Sequence, residues 1–534
     1  MSKSPRISSS TILSLAALGV GCLSPAFSAD VSTPVNPANM PAISQVDQRF
    51  QAYNIEMLEV TGGKFWKPYK DLQATSARKP DANRPGSTPA GMSSSLYQYR
   101  PPIDLGNARL RKLAAALGPA YVRVSGTWAN TTYFQDAEGP APANPPKGFN
   151  GVLTREQWKG VVDFAHAVNA EIITSFATSA GTRNAEGLWT PDQARTFLSY
   201  TKSIGGRIAA AEFMNEPTFA ALAGVPKGYD AAAYARDIAV FRPFLKQTAP
   251  GVLFLGPGSV MEGGPLAAPV SLGRLPSEDL LKATGPVFDI FSYHLYAAVS
   301  QRCAGGNPAL GTTAAAALSE PWLSRPDAIN AFYAGLRDRF EPGKPLWVTE
   351  TADAACGGNP WASTFLDTFR YLDEHARLAQ QGVRVIAHNT LAASDYGLLD
   401  ETTFAPRPNY WAALLWRTLM GTTVLKPNTA PKQGVHLYAH CLRDTPGGVA
   451  LLAINTDRND SQSLTLPARS ERYTMTAPKL EDASVELNGK ELKLGADDSI
   501  PELTGVPTPS GSITLAPASI TFLAIREAHN RSCR

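Results

Sequence analysis

Long apolar runs are almost missing from this chain of 534 residues. The one stretch of any length lies at the extreme N-terminus, so a polytopic membrane protein is excluded. Charge is scarce and balanced: 18% of residues are Asp, Glu, Lys or Arg, with 49 Lys+Arg against 46 Asp+Glu for a net +3. That excess is too small for a nucleic-acid footprint. Gly and Pro, 43 each, recur without a period, which removes collagen and repeat arrays. Cysteine is rare, five in all. No C-x-x-C occurs, and no cluster of His, Cys and Asp has ligand spacing, so neither a metal nor a cofactor is expected. What is present is apolar, 44% of the chain, which argues against disorder and allows large cores. The length suggests roughly two to four domains.

Residues 1–28 read as an export signal. Lys3 and Arg6 precede a mostly apolar stretch over 11–22, and Ala26-Phe-Ser28 offers small residues before a cut. The apolar run is shorter than the ~20 residues of a spanning helix. Lipidation at Cys22 is the rival reading, weakened by Gly19, where such signals carry Leu. A secreted or periplasmic protein with no membrane contact is expected, delivered across an inner membrane. In an oxidising compartment Cys303, Cys356, Cys441 and Cys533 allow three pairings.

Residues 29–46, rich in Pro, Ser, Ala and Asn, look like an exposed leader. From 47 to 420 short apolar runs alternate with amphipathic stretches. Strand candidates are 53–61, 121–125, 171–176, 208–214, 252–255, 288–293, 346–349 and 383–387. Thr154-Arg-Glu-Gln157 is a capping box ahead of Trp158, Val161, Ala165 and Val168 on one helical face. Thr190-Pro191-Asp-Gln193 repeats the logic with Pro at the first helical position, and Gly205-Gly206 ends that helix. Trp361, Phe365, Phe369, Leu372 and Ala376 mark a further packing stripe. Eight strands alternating with helices predict an α/β (β/α)8 barrel. A doubly wound open sheet is the alternative, without its usual dinucleotide-binding form, because no G-x-G-x-x-G follows the first strand.

Over 421–534 the pattern changes to short strands, at 435–441, 449–455, 463–466, 485–487, 491–494 and 520–525. Asn488-Gly489 is a hairpin signal, since both turn positions need positive φ. A C-terminal β-sandwich is expected. Cys441 and Cys533 lie at opposite ends of this module, where a bridge would tie down the tail.

Two phrases carry chemistry. Ala211-Glu-Phe-Met-Asn215-Glu216-Pro217 ends the fourth strand candidate, and Leu346-Trp-Val-Thr-Glu350-Thr351 ends the seventh. Residues at the C-terminal ends of barrel strands face the active site. Paired carboxylates there suit glycoside hydrolysis, one as a protonated acid and the other as an ionised nucleophile. A lone Glu is more often a solvated surface charge. Asn-Glu-Pro after an apolar strand, paired with a second Glu after another, lifts these two above that reading.

The pair resembles clan A retaining glycosidases, and further motifs sharpen the likeness. Tyr121-Val-Arg-Val-Ser-Gly-Thr127, Tyr293-His294-Leu-Tyr296, Thr349-Glu350-Thr351 with Gly357-Gly358, Ser394-Asp-Tyr396-Gly-Leu-Leu-Asp400, Pro408-Asn-Tyr410-Trp411 and Leu419-Met-Gly-Thr-Thr-Val-Leu425 are similar to the heparanase family, glycoside hydrolase family 79. The likeness is collinear from about residue 50 to the C-terminus. It implies Glu216 as acid/base, Glu350 as nucleophile, Asn215 on the sugar 2-hydroxyl and Tyr296 holding Glu350. His294 shares the face of Tyr296, with a buried structural His as the plain alternative. The resemblance also implies that Gly357 and Tyr396 receive a uronate carboxylate, that Glu59 and Thr127 bind sugar hydroxyls, and that Cys441 pairs with Cys533. Two positions depart from it. Cys356 stands where a family member has Gly, and Glu59 where it has Asp. Cys356 could bridge to Cys303, each following an adjacent strand end, and so stiffen the rim.

Three readings follow. The first is a heparanase-like endo-β-glucuronidase acting on glycosaminoglycan such as heparan sulfate. The second is an exo-β-glucuronidase on small glucuronides or plant glycans. The third is a non-catalytic carbohydrate-binding protein, against which the retained carboxylates weigh. The short eighth loop, 387–411, favours an open cleft. Against sulfate recognition, 277–291 holds only Lys282 as a base, with Arg274 upstream. A monomer acting on a polysaccharide or glucuronide is expected, with no nucleic-acid or membrane partner.

Overall fold

The computed structural model describes residues 32–75, 93–267, 274–429 and 432–534. The expected export signal lies outside them. Among the described residues no helix is long and apolar enough to cross a membrane.

Eight parallel strands close a barrel: β1 (Gln51–Glu56), β2 (Ala120–Ser125), β3 (Ala170–Ser175), β4 (Ile208–Glu212), β5 (Leu253–Ser259), β6 (Ile290–Tyr296), β7 (Leu346–Ala352) and β8 (Val383–His388). Each overlaps one strand candidate. β8 closes on β1 through Ile386 opposite Gln51 and His388 opposite Tyr53. β2, β6 and β7 are buried along their whole length, as expected of parallel strands covered on both sides. Ala52, Tyr121, Ile173, Leu255, Trp347 and Val385 fill the barrel with an apolar layer, and the Tyr121 and Trp347 rings stand 5.0 Å apart. Moving up β2 by the strand period of two replaces Tyr121 with Arg123. The same step on β6 gives Ser292, His294 and Tyr296 in turn, so the interior becomes polar toward the mouth.

Two local expectations change. The first strand stops at Glu56 and a short helix takes over at Met57–Thr61. The reason lies in Glu56 and Glu59, three residues apart: the Glu59 carboxylate accepts the Glu56 N–H at 2.8 Å and starts the helix. The helix beginning near Thr190 is Asp192–Ser203, with Pro191 just outside it. Its expected capping groups are engaged elsewhere. Thr190 donates to the Thr182 carbonyl, and the Gln193 side chain accepts the Phe134 N–H. The Thr154 box does form, with reciprocal bonds of 3.2 and 2.9 Å to Gln157. Trp361 precedes the helix Phe365–Gln380, whose other stripe residues are buried.

The C-terminal region is a β-sandwich. Its large sheet runs through Met420–Leu425, Val435–Leu442, Val449–Asn455, Ser519–Ile525 and Ser470–Thr476. A small sheet pairs Gln462–Leu466 with Gly511–Leu515. Leu437, Leu451, Leu464, Leu515 and Leu523 pack between them. Residues 29–46 are not a free leader where they are described. Thr33–Pro34 pairs with the small sheet, Ala42–Gln45 edges the large one, and Val35 and Met40 are buried. Pro-rich composition hid these edge strands, because proline is tolerated only at sheet edges. Asn488 and Gly489 turn the expected hairpin at φ of 52° and 79°, although its strands are only Glu486–Leu487 and Lys490–Glu491. Cys441 is bridged to Cys533 across a sequence separation of 92, and Cys303 to Cys356. The longer bridge removes much chain freedom from the unfolded state.

Candidate active site

The mouth of the barrel is built around one arginine. Arg123 on β2 is 1% exposed and reaches four groups from three other strand ends. Its Nε and Nη2 donate to Glu212 Oε2 at 3.1 and 2.8 Å, and Nη1 donates to Glu350 Oε2 at 2.9 Å. Nη2 also donates to Asn215 Oδ1 at 2.7 Å and lies 3.2 Å from His294 Nε2. Both Nη2 hydrogens are directed at Glu212 and Asn215, and a proton on Nε2 would face the guanidinium head on, so Nε2 keeps its lone pair and His294 carries its proton on Nδ1. That Nδ1–H donates to Glu216 Oε1 at 3.0 Å.

Glu350, on β7, receives a second bond from the Tyr296 hydroxyl, 2.7 Å from Oε1. Glu216 sits past the end of β4 at φ 51° and ψ 62°, a left-handed backbone that is uncommon for glutamate. Asn130 holds this conformation in place from one residue back. Its side chain accepts the Asn215 N–H at 2.8 Å and donates to the Asn215 carbonyl at 2.9 Å. Carboxylate oxygens of Glu216 and Glu350 and a ring nitrogen of His294 all lie within 4.8 Å of one another. The Glu216 and Glu350 side chains keep 17% and 8% of their surface open, enough for a substrate to touch both.

Three expected partners belong to this cluster: Asn215, His294 and Tyr296. Tyr396 joins through Asn389, whose Nδ2 lies 3.1 Å from the Tyr296 hydroxyl, 3.2 Å from that of Tyr396 and 3.2 Å from Glu56 Oε1. Gly357 lies on the rim at φ 81°, and a Cβ there would come within 2.6 Å of Trp66 and 2.8 Å of Ser394 Oγ, so only glycine fits. The loop carrying it is stitched to the loop after β6. Ala355 N donates to Ala298 O, Ser300 N to Ala355 O, Ser300 Oγ to Gly358 O, and the Cys303–Cys356 bridge adds a covalent tie.

Glu59 does not join the cluster. Its side chain serves the Glu56 backbone and an ion pair with Arg100 at 3.7 Å, and burial pushes its carboxyl up to about 7. The carboxylate at the end of β1 is Glu56. Gly126 makes room for it, since a Cβ there would stand 1.6 Å from Glu56 Oε2. The resemblance assigns a sugar-binding carboxylate to Glu59, and the carboxylate that the structure brings beside Asn389 is Glu56. Thr127 is half-buried in the turn beyond Gly126, with no bond to the paired glutamates among the described contacts. Asn389, Arg123 and Glu212 were also missed. Asn389 directly follows β8, and the other two sit inside phrases already singled out.

Burial, with a further push from the Glu350 charge, raises the Glu216 carboxyl, against the opposing pull of His294 and Arg123. Burial and Glu350 raise Glu56 further still. Tyr296 and Tyr396 are driven well above the usual phenol range by burial and the nearby carboxylates, so both hydroxyls remain donors. Glu212 goes the other way. Burial would raise it, but the Arg123 charge, the Arg123 hydrogen bonds and the Thr349 hydroxyl hold it below the usual carboxylate value.

The Glu216, His294 and Glu350 trio has ligand chemistry that no linear spacing reveals. Arg123 sets a fixed positive charge against two of its three members, and the His294 Nδ1 lone pair is replaced by a proton. The arrangement therefore suits paired-carboxylate chemistry better than a cation.

No family model matches the chain. It is 26% identical over 488 residues to heparanase-like protein 1 of Arabidopsis thaliana, covering 81% of this chain and 86% of that one. It is 28% identical to the heparanase of Mus musculus (80% and 88% covered) and 24% identical to the baicalin-beta-D-glucuronidase of Scutellaria baicalensis (82% and 85% covered). The fold matches a GH51 arabinofuranosidase from Xanthomonas axonopodis pv. citri with a TM-score of 0.61 at 16% identity, over 92% of this chain and 99% of that one. It also matches a 4-O-alpha-L-rhamnosyl-beta-D-glucuronidase from Fusarium oxysporum with a TM-score of 0.58 at 13% identity, over 92% and 100%.

Proposed function

We propose that this chain, a homologue of the heparanases and a glycoside hydrolase, cleaves β-linked glucuronic acid with retention of configuration. The observation that carries this reading is the pair of glutamates at the barrel mouth, within 4.8 Å of each other and held by different partners. Retaining enzymes keep their carboxyl groups about 5–5.5 Å apart, whereas inverting enzymes leave room for a water.

In this mechanism a Glu350 oxygen attacks the anomeric carbon as the bond to the leaving oxygen breaks, and Glu216 gives that oxygen its proton. The bond from His294 occupies Glu216 Oε1, so the transferable proton belongs on Oε2. Asn215 is oriented by Arg123 through its carbonyl oxygen, which reserves its N–H for the sugar 2-hydroxyl. Water then attacks the glycosyl ester, gives a proton back to Glu216 and frees Glu350. The Gly357–Gly358 backbone and the Tyr396 hydroxyl would receive the uronate carboxylate, and Glu56 the sugar hydroxyls. The two bridges fit an oxidising compartment, in line with secretion.

Action within a glycosaminoglycan such as heparan sulfate is the first reading for the substrate. A groove of about 1070 Å3 lined by Tyr69, Lys70, Asp395, Arg407 and Lys493 lies beside the loop that carries Tyr396, though neither catalytic glutamate lines it. Exo action on small glucuronides is the second, favoured by the rim charges. Arg302 is paired with Asp395 and Arg407 with Asp400, which leaves these cations committed rather than free for sulfate. Incubation with heparan sulfate, hyaluronan and p-nitrophenyl β-glucuronide, followed by sizing of the products, tests the assignment. Early shortening of heparan sulfate is expected. Free glucuronic acid without shortening would establish the exo reading, and inertness toward all three would overturn the glucuronidase assignment.

A further inference from the structure

Glu212 lies one layer below the proposed reaction centre, where no substrate reaches. It ends β4 and is 0% exposed. Its Oε1 accepts from Ser292 Oγ at 3.0 Å and from Thr349 Oγ1 at 2.7 Å. Ser292 stands one strand step beneath His294 on β6, and Thr349 directly precedes Glu350 on β7. Its Oε2 accepts from two nitrogens of Arg123, while Glu350 accepts from only one. One guanidinium thus serves two carboxylates, and the hidden one holds the larger share.

We propose that Glu212 is a positioning residue, a permanently charged counter-ion that takes up most of the Arg123 charge and so sets the field in which Glu216 and Glu350 work. This rests on the glucuronidase reading for its consequence and on the contacts above for its basis. Arg123 must be present, because its N–H bonds align Glu350 and Asn215 and its charge faces the Nε2 lone pair of His294. Left uncompensated in a dry interior, its charge would draw the proton off Glu216 and hold Glu350 back from the anomeric carbon. Glu212 keeps the geometry and removes most of that field. Four donors converge on its two oxygens, an arrangement that only an ionised carboxylate satisfies in full.

Glu212→Gln keeps the shape and an acceptor for Arg123 but deletes the charge. On an aryl glucuronide, the alkaline limb of the kcat/KM profile is expected to move about one pH unit toward acid, because Glu216 then loses its proton more easily. Activity near the acid limb should survive. A lower rate with the limb unmoved would mean a merely structural role and would overturn the proposal. A second measurement needs neither a substrate nor a variant. In the 13C-glutamate NMR titration of the wild-type protein, Glu212 should stay ionised throughout the range in which Glu216 titrates. Glu212 titrating together with Glu216 would also overturn the proposal, including the case where Glu212→Gln fails to fold. A wild-type protein inactive on every glucuronide would count against the function, and the titration would still decide the role of Glu212.

Discussion

Glu350→Ala is expected to abolish turnover of every β-glucuronide, whatever its leaving group, because no covalent intermediate can form without that carboxylate. Glu216→Ala should behave differently. Its loss removes protonation of the departing oxygen, worth about 10²–10⁴-fold. That loss should fall on substrates with poor leaving groups, while an aryl glucuronide with a good one continues to form the glycosyl enzyme. Hydrolysis of the ester then lacks its base, so azide, which needs none, should restore turnover and yield a β-glucuronyl azide. Steady-state rates on p-nitrophenyl and alkyl glucuronides, with and without azide, check both variants. Azide rescue of Glu350→Ala through the β-azide, or leaving-group sensitivity confined to that variant, would reverse the roles.

The second large effect concerns Arg123. Arg123→Met leaves Glu212 and Glu350 buried beside each other without their shared cation. Breaking a buried ion pair in this way costs about 3–5 kcal/mol. Activity should fall as well, since Glu350 and Asn215 lose a common donor and His294 the charge that orients its ring. The pH dependence has a definite sign. In the native protein Glu212 is held below its usual value, so its contribution is present above about pH 4.3 and is lost as pH falls through its folded pKa. Without Arg123, burial is opposed on Glu212 only by the Ser292 and Thr349 hydroxyls, and it favours protonation. The destabilisation should therefore be greatest near neutral pH and shrink toward about pH 4. Denaturant unfolding at several pH values checks this, and a variant as stable as wild type at neutral pH would contradict it.

Much of this was legible in the sequence because periodicity and strand ends are local signals. The eight barrel strands stand out as short apolar runs between helices, and Asn215-Glu216 and Glu350 fall where the ends of β4 and β7 should be. What stayed hidden was set by contacts between distant segments. Glu56 carries no local signal, because the apolar pattern continues into the helix Met57–Thr61 and hides the end of β1. Asn389 was missed because its role lies in bonds to Tyr296 and Tyr396, which sit on other strands and loops. The N-terminal edge strands were obscured by a Pro- and Ser-rich composition, and only their partners in the sandwich reveal them. Arg123 and Glu212 were visible as residues, but the shared charge is a property of the assembled barrel.

The proposed chemistry is a double displacement carried out by two glutamates that share one barrel mouth. It is tested most directly by 1H NMR of the first sugar released from a β-glucuronide, recorded before mutarotation. The β-anomer is expected as the initial product, with the α-anomer appearing only as the solution equilibrates. Initial release of the α-anomer would contradict it, because a single inverting displacement would then have taken place at the pair of Glu216 and Glu350.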